Sequence, residues 1–398
     1  MITLAEVEAV RRRIASVLRA TPVDRSDSLS RLAGRAVVLK PEHQQRTGSF
    51  KIRGAYNRIV QLPAGVDVVA ASAGNHAQGV ALAASLTGRQ ATIYMPHGAA
   101  LPKAEATRAY GATVVLGGST VDECITSAEQ FAAATGAVYV PPFDSPDVIA
   151  GQGTIGLELA EEAPDADVVV VPVGGGGLLA GVATALAHTR RSVRVVGVEA
   201  SGAPTLKAAL SAGHPVVLDR LATMADGIAV RACSELTLSH AQAYVDDVVT
   251  VEEEEISQAM LLLVERAKAI VEPSGAASLA AILAGKVPGT GPAVALLSGG
   301  NVDPLLLTKL IDHGLSAAGR YLVLRVVMDD RPGALAGLTA ELARLGLNVL
   351  DVEHHRSGRA LGLAEVEVQL TVETRDAAHH ALVIDALAAA GYRAERVG

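Results

Sequence analysis

Lys51 stands in the run Gln45-Arg46-Thr47-Gly48-Ser49-Phe50-Lys51-Ile52-Arg53-Gly54-Ala55, among small, polar and aromatic neighbours where a helix would begin. A lysine amine adds to an aldehyde only while neutral, and burial and the positive end of a helix both favour that form. Alone, Lys51 reads as a solvated surface lysine. Three further segments change that reading, because each suits a different part of one carbonyl cofactor.

The first is Ser72-Ala73-Gly74-Asn75-His76, after the apolar run 68–71 and before a helical stretch 77–86. It predicts a strand-to-helix loop at the mouth of a parallel sheet, where backbone N–H groups hold a substrate carboxylate and the Asn75 amide donates to a phenolate oxygen. The plain alternative is an ordinary turn of Asn and Gly. The second is Gly174-Gly175-Gly176-Gly177-Leu178, after the valine-rich run 168–173 and opening a helical stretch 178–188. Consecutive glycines let several N–H groups converge on one phosphate, with the helix dipole adding attraction. The segment lacks the Lys-Ser/Thr ending of a nucleoside-triphosphate loop and the spaced glycines of a dinucleotide fingerprint, so it predicts a single bound phosphate. The third is Ser298-Gly299-Gly300-Asn301, after the buried-looking run 293–297. A hydroxyl there can bond a pyridine nitrogen, and a neutral partner leaves the ring a modest electron sink that favours prompt loss of a β-substituent. Aldehyde, phenolate, phosphate and pyridine nitrogen together describe pyridoxal 5′-phosphate, with Phe50, Lys51, Asn75, Gly174, Gly175, Gly176, Gly177, Leu178 and Ser298 around it.

These loops need strands to carry them. Candidate strands are 36–40, 68–72, 91–95, 113–116, 168–173, 193–198 and 293–297, most followed by an amphipathic stretch, which predicts an α/β, mostly parallel architecture. The run 168–187 is uncharged and long enough to suggest a membrane span, but Pro172 and the glycines split it into strand, loop and helix. At 398 residues the chain should hold two or three domains. Half its residues are hydrophobic and only 3% aromatic, so Ala, Val and Leu must build the core. The net charge of −8, with the main basic cluster Arg11-Arg12-Arg13 on a short amphipathic helix, argues against nucleic acid. Two cysteines in unrelated contexts, Cys124 and Cys233, argue against a disulfide framework or a metal cluster. They fit a reducing compartment; with no signal peptide at the N-terminus, the expected location is cytoplasmic.

The lysine, asparagine, tetraglycine and serine segments, in this order, resemble the fold-type II pyridoxal-phosphate enzymes, and within them the threonine dehydratases or threonine ammonia-lyases. The resemblance spans nearly all of residues 1–318 and includes Pro141-Pro142-Phe143-Asp144, residues 150–158 and Ala225-Asp226-Gly227. It implies a tryptophan synthase β-like, two-lobe α/β catalytic domain with a small lobe at 49–140, a large lobe from 1–48 and 141–318, and the cofactor in the cleft. It also implies Lys51 and Ser298 as catalytic residues, and Ser72, Ala73, Gly74, Asn75 and His76 around the amino-acid substrate.

After a glycine-bearing stretch, 314–319, that reads as a linker, the pattern changes. Strands at 321–328, 348–355, 361–372 and 392–397, with helices reaching 345 and at 377–390, give a ferredoxin-like βαββαβ order over 321–398. The turn Arg331-Pro332-Gly333-Ala334-Leu335 and Gly346-Leu347-Asn348 resemble an ACT domain, which implies an amino-acid effector around Gly333, Leu335 and Asn348; the alternative is a dimerisation module without ligand.

His354-His355 and His379-His380 do not complete a metal site, since strand neighbours face opposite ways and no Cys or carboxylate joins them. Glu252 to Glu255 read as a helix start that complements the dipole. The expected reaction is dehydration of L-threonine, and also L-serine, to a 2-oxo acid and ammonia, in a homodimer or homotetramer regulated by isoleucine or valine. Serine racemases are the near rival: their pattern has a hydroxyl where Ala73 stands, and their cation site matches Glu199 and Ala203 but meets Thr205 instead of an acid. A non-catalytic amino-acid sensor is the alternative from another class. No metal, nucleic-acid or membrane partner is expected.

Overall fold

The structure is a computed structural model that describes residues 1–190, 192–317, 319–356, 362 and 364–397. The chain forms two compact units, Met1–Asp303 and Pro304–Gly398.

In the first unit, strands β1 (Asp24–Arg25), β2 (Val37–Lys40), β3 (Val68–Ala71), β4 (Ala91–Met95), β5 (Thr113–Leu116), β6 (Val138–Tyr139), β7 (Val168–Pro172), β8 (Arg194–Ala200), β9 (Asp247–Val251) and β10 (Ala293–Leu296) make two sheets. One runs β1-β2-β10-β7-β8-β9, the other β5-β4-β3-β6. Apart from antiparallel β1, every pairing is parallel. The central strands β2, β3, β7 and β10 are buried throughout, as expected of a parallel sheet covered on both faces. All seven expected strands are present, two with their expected bounds and five with one or both ends moved by one or two residues. β1 and β6 have two residues each and leave no periodic signal.

This topology brings the chemistry to one place. β10 pairs with β2 on one side and β7 on the other, so the segments that follow them (Gln45 to Lys51, Ser298 to Asn301, and the tetraglycine) leave the sheet at one edge. β3 is flanked by β4 and β6, and its end delivers Ser72 to His76. Ligands in open α/β sheets gather at such carboxyl ends.

Helices meet through small residues, which is how a chain with few aromatics packs tightly. Helix Lys51–Val60 lies on helix Pro146–Glu162 with Gly54 against Gly151, where a Cβ on Gly151 would overlap the Gly54 Cα. The same long helix meets helix Gly177–Thr189 at Gly181, whose Cβ would sit 2.5 Å from the Gly153 N.

In the second unit, helix Pro304–Ala317 precedes β11 (Tyr321–Asp329), helix Ala334–Arg344, β12 (Val349–His355), β13 (Glu365–Glu373), helix Ala377–Ala389 and β14 (Arg393–Arg396). The antiparallel order β12-β13-β11-β14 and the two helices enclose Leu322, Leu324, Val326, Leu338, Leu342, Val368 and Leu370. The 314–319 linker is corrected: Gly314 lies inside helix Pro304–Ala317, because the apolar residues Leu307, Leu310 and Ile311 outweigh one glycine. Ala318 lies outside the described residues, and Gly319 turns the chain with φ +68°. Leu361, the expected start of the long strand, also lies outside the described residues.

Candidate active site

Lys51 is the first residue of its helix. Its Nζ donates to the Pro142 carbonyl at 2.9 Å and lies 5.2 Å from the Phe50 ring centre. Burial lowers its pKa to about 8, against the pull of Glu272, which favours the charged form. Gly79 lets helix Asn75–Leu86 approach: a Cβ there would be 3.3 Å from the Lys51 Cβ.

The serine segment reaches Lys51 through backbone pairing. Phe50 N donates to Ser298 O at 3.2 Å, Gly300 N to Gly48 O at 2.9 Å, and Ser49 bridges Gly299. Ser298 is 4% exposed. The tetraglycine reaches it through Pro142 and Phe143: while the Pro142 carbonyl holds Lys51, the Phe143 ring packs on Gly175 and the Phe143 Cβ and backbone on Gly177, so a Cβ on either would run into Phe143. Gly176 has φ +89° and caps helix Gly177–Thr189 with no side-chain hydrogen bond. The first N–H groups of that helix, Leu178 included, are therefore available to an anion. Gly74 likewise precedes helix Asn75–Leu86 without a side-chain cap, its own N–H accepted by Ser72 Oγ at 3.2 Å, with Ala73 partly exposed beside it.

Asn75 is tied on both sides. Its Nδ2 donates to Glu272 Oε1 at 2.5 Å, and its Oδ1 accepts from Asn301 Nδ2 at 2.7 Å. Asn301 Nδ2 also donates to the Thr47 carbonyl at 2.7 Å. His76 is buried, with Nε2 2.8 Å from the Val140 carbonyl, and burial together with Lys51 pushes its pKa down to about 3. The ring is therefore neutral, and with Nε2 engaged it is the backbone N–H that can donate to a substrate carboxylate. Glu199 is also spoken for: its oxygens accept from Leu206 N at 2.6 Å and Lys207 N at 3.0 Å, at the start of helix Thr205–Ala212.

The residues fit pyridoxal phosphate on several independent counts. No Cβ fits on the four glycines, since each would press on Ile228, Phe143 or Thr237, a helix start is open to an anion, and the hydroxyls of Ser49 and Ser274 are buried without a partner among the described residues. Sequence reasoning missed Glu272, Asn301, Phe143 and Pro142 as site-forming residues. Asn301 closes the serine segment and Pro142 and Phe143 lie in the quoted stretch 141–144, but none was given a role there; Glu272 sits in no motif, and the contact with Asn75 across the cleft marks it.

In the second unit, Gly333 has φ +90° and caps helix Ala334–Arg344 with open space where a Cβ would be. Leu335 is 36% exposed, and Asn348 is exposed with its carbonyl accepting from Glu373 N at 2.9 Å. His380 is taken up by packing, its Nε2 2.9 Å from the Gly319 carbonyl.

A two-sheet α/β unit with a lysine at a helix start, linked through Pro142 and Phe143 to a glycine-rich helix N-terminus, suits a carbonyl-cofactor enzyme of the pyridoxal-phosphate class. Residues 14–299 match the family of pyridoxal-phosphate dependent enzymes and residues 322–391 the ACT domain family. The chain is 45% identical to an L-threonine ammonia-lyase of Thermotoga maritima over the full length of both. The processed form of threonine deaminase isoform 2 from Solanum lycopersicum superposes with a TM-score of 0.74 at 39% identity, over 78% of this chain and 86% of that one. Maize serine racemase superposes with a TM-score of 0.74 at 35% identity, over 79% of this chain and 98% of that one. The chain belongs to the pyridoxal-phosphate-dependent enzymes and, within them, to the threonine ammonia-lyases with a C-terminal ACT domain.

Proposed function

We propose that this chain deaminates L-threonine to 2-oxobutanoate and ammonia, with L-serine as a second substrate. The observation that carries the reading is Lys51: an amine of lowered pKa, at a helix start, facing the carboxyl ends of both sheets. Pyridoxal phosphate, when bound, draws electrons from the substrate Cα and so weakens its C–H bond.

The chain's residues supply the rest. The Lys51 amine anchors the cofactor aldehyde and takes the Cα proton as general base; a pKa near 8 suits proton transfer close to neutral pH. N–H groups of Gly174, Gly175, Gly176, Gly177 and Leu178 would hold the phosphate. The Ser298 hydroxyl would bond the pyridine nitrogen, and the free N–H of Asn75 the ring oxygen. Phe50 lies beside the lysine. Backbone N–H groups of Ser72, Ala73, Gly74, Asn75 and His76 hold the substrate carboxylate.

The same reading assigns residues 1–318 to catalysis, with a small lobe at 49–140, and 321–398 to regulation by isoleucine or valine at Gly333, Leu335 and Asn348, in a homodimer or homotetramer. The two family matches support this division, while the compact units break earlier, between Asp303 and Pro304. Two buried free cysteines, Cys124 and Cys233, support a cytoplasmic location. Among the described residues no helix is long and apolar enough to cross a membrane. Racemisation is the second reading, favoured by the likeness to maize serine racemase. Against it, Ala73 offers no hydroxyl on the opposite face.

The test is release of ammonia and 2-oxo acid from L-threonine, L-serine and D-serine. Lys51→Ala should abolish turnover and visible absorbance while the fold survives. Near-normal turnover in that variant would refute the assignment.

A further inference from the structure

Glu272 has no part in the reading above, yet its surroundings are unusual. It precedes helix Pro273–Leu283 as the N-cap residue, a place where a polar side chain ordinarily accepts a hydrogen bond from the first turn. Its carboxyl makes no such cap. It is 3% exposed, and it reaches from the six-stranded side of the cleft to Asn75 on the four-stranded side. Gly299 clears the way, since a Cβ there would overlap Glu272 Oε1.

Asn75 has two N–H donors and one carbonyl oxygen. Asn301 occupies the oxygen and Glu272 one N–H. When ionised, the Glu272 carboxylate only accepts and so also fixes which end of the amide faces it. One N–H remains, in a plane set by the other two bonds.

The charged and titratable groups around the carboxyl come from four other elements. Lys51 faces it from its helix, Asp226 from the turn Asp226–Ile228, and Lys103 from helix Leu101–Ala109. Lys103 pairs with Asp226, so the two largely offset one another. His76, on the Asn75 helix, is neutral.

We propose that Glu272 is a positioning residue of the cofactor site: it holds the Asn75 amide so that one N–H stays free for the ring oxygen of pyridoxal phosphate, and it sets a second ionisable group against Lys51. The proposal rests on the cofactor reading given under Proposed function.

The experiment strips the full-length protein of cofactor and titrates pyridoxal phosphate back into wild type, Glu272→Gln and Glu272→Ala. It follows affinity, the visible band, and the pH midpoint of the capture rate. Glu272→Ala leaves a buried amide N–H unpaired and should weaken cofactor binding by about tenfold, with a shifted band. Glu272→Gln can still accept from Asn75 and should stay within about threefold of wild type in affinity. Its capture midpoint should nonetheless fall by roughly half a pH unit or more, because no carboxylate now favours the Lys51 ammonium. Wild-type affinity and band in Glu272→Ala, or an unmoved midpoint in Glu272→Gln, overturns the proposal. A wild-type protein that captures no pyridoxal phosphate overturns the cofactor reading and this proposal with it. If the alanine variant misfolds by circular dichroism, the midpoint in the glutamine variant still decides.

Discussion

At Lys51 and Glu272 groups of opposite charge share a cleft, and desolvation disfavours the charge of both. It lowers the lysine to about 8 and, with Asp226 adding to it, raises the carboxyl to about 7. For Glu272 the native state holds its proton to a higher pH than the unfolded chain, so its contribution to stability is full below the ordinary carboxyl range near 4.5 and is lost as pH rises to about 7. Glutamine mimics the protonated form at every pH. Glu272→Gln should therefore melt with wild type at pH 4 but above it at pH 8, in cofactor-free protein followed by calorimetry; a pH-independent difference would show that the carboxyl does not titrate in this window. Ala73 carries a second expectation. A serine there would supply a proton donor on the face that alanine leaves bare, so Ala73→Ser should yield trace D-amino acid from an L-substrate by chiral chromatography, and wild type racemising as fast as it deaminates would reverse the ranking. Residues at this scale were legible when each sat in its own short motif after a strand, as Lys51, Asn75, the glycines and Ser298 do. Glu272 was not, and Asn301, though inside the serine segment, showed no role there, because what matters about both is a contact with Asn75 across 197 and 226 residues of chain.

The helix that begins at Lys51 is held by more than its own hydrogen bonds. Two residues on, buried Arg53 forks onto Glu42 at 2.8 Å and Glu158 at 2.6 Å, and Glu158 also takes Lys40 at 2.7 Å. Burial works against the Arg53 charge, but Glu42 and Glu158 hold the guanidinium protonated. One turn of geometry is left to glycine: Gly54 on this helix touches Gly151 on helix Pro146–Glu162 with no room for a methyl group. Gly151→Ala should push the two helices apart at a cost of about 1–3 kcal/mol. Because Lys51 lies three residues before Gly54, the same variant should bind pyridoxal phosphate more weakly; a lowered melting temperature with unchanged cofactor affinity would mean that the strain is absorbed away from the lysine. Strand positions were readable from apolar runs, since parallel strands buried on both faces need no alternation. The glycine contacts were not readable, because a glycine in a helix gives no sign of which backbone it admits.

Two compact units with separate cores make the molecule divisible. Buried clusters around the two sheets of the first unit are drawn from Ile2 to Leu296, while a separate cluster from Leu322 to Leu387 fills the ferredoxin-like sheet. Of the βαββαβ order, β11 and β13 alternate cleanly between buried and more open positions, whereas β12 and β14 are mostly exposed and do not. The boundary was not legible in the sequence, since Gly314 suggested a linker inside what is a helix. An effector at Gly333, Leu335 and Asn348 can act on turnover only by favouring one arrangement of the catalytic part, a coupling typically of ~1–3 kcal/mol, or several-fold to about a hundredfold in apparent affinity. A chain ending at Gly319 keeps every residue assigned to chemistry and loses the sheet that carries those three. It should still deaminate L-threonine, with its response to isoleucine and valine erased. Steady-state assays of both forms across effector concentrations decide the matter. A fragment that keeps the full response places the effector site before residue 319, and a full-length protein indifferent to isoleucine, valine and threonine makes the C-terminal unit an assembly module.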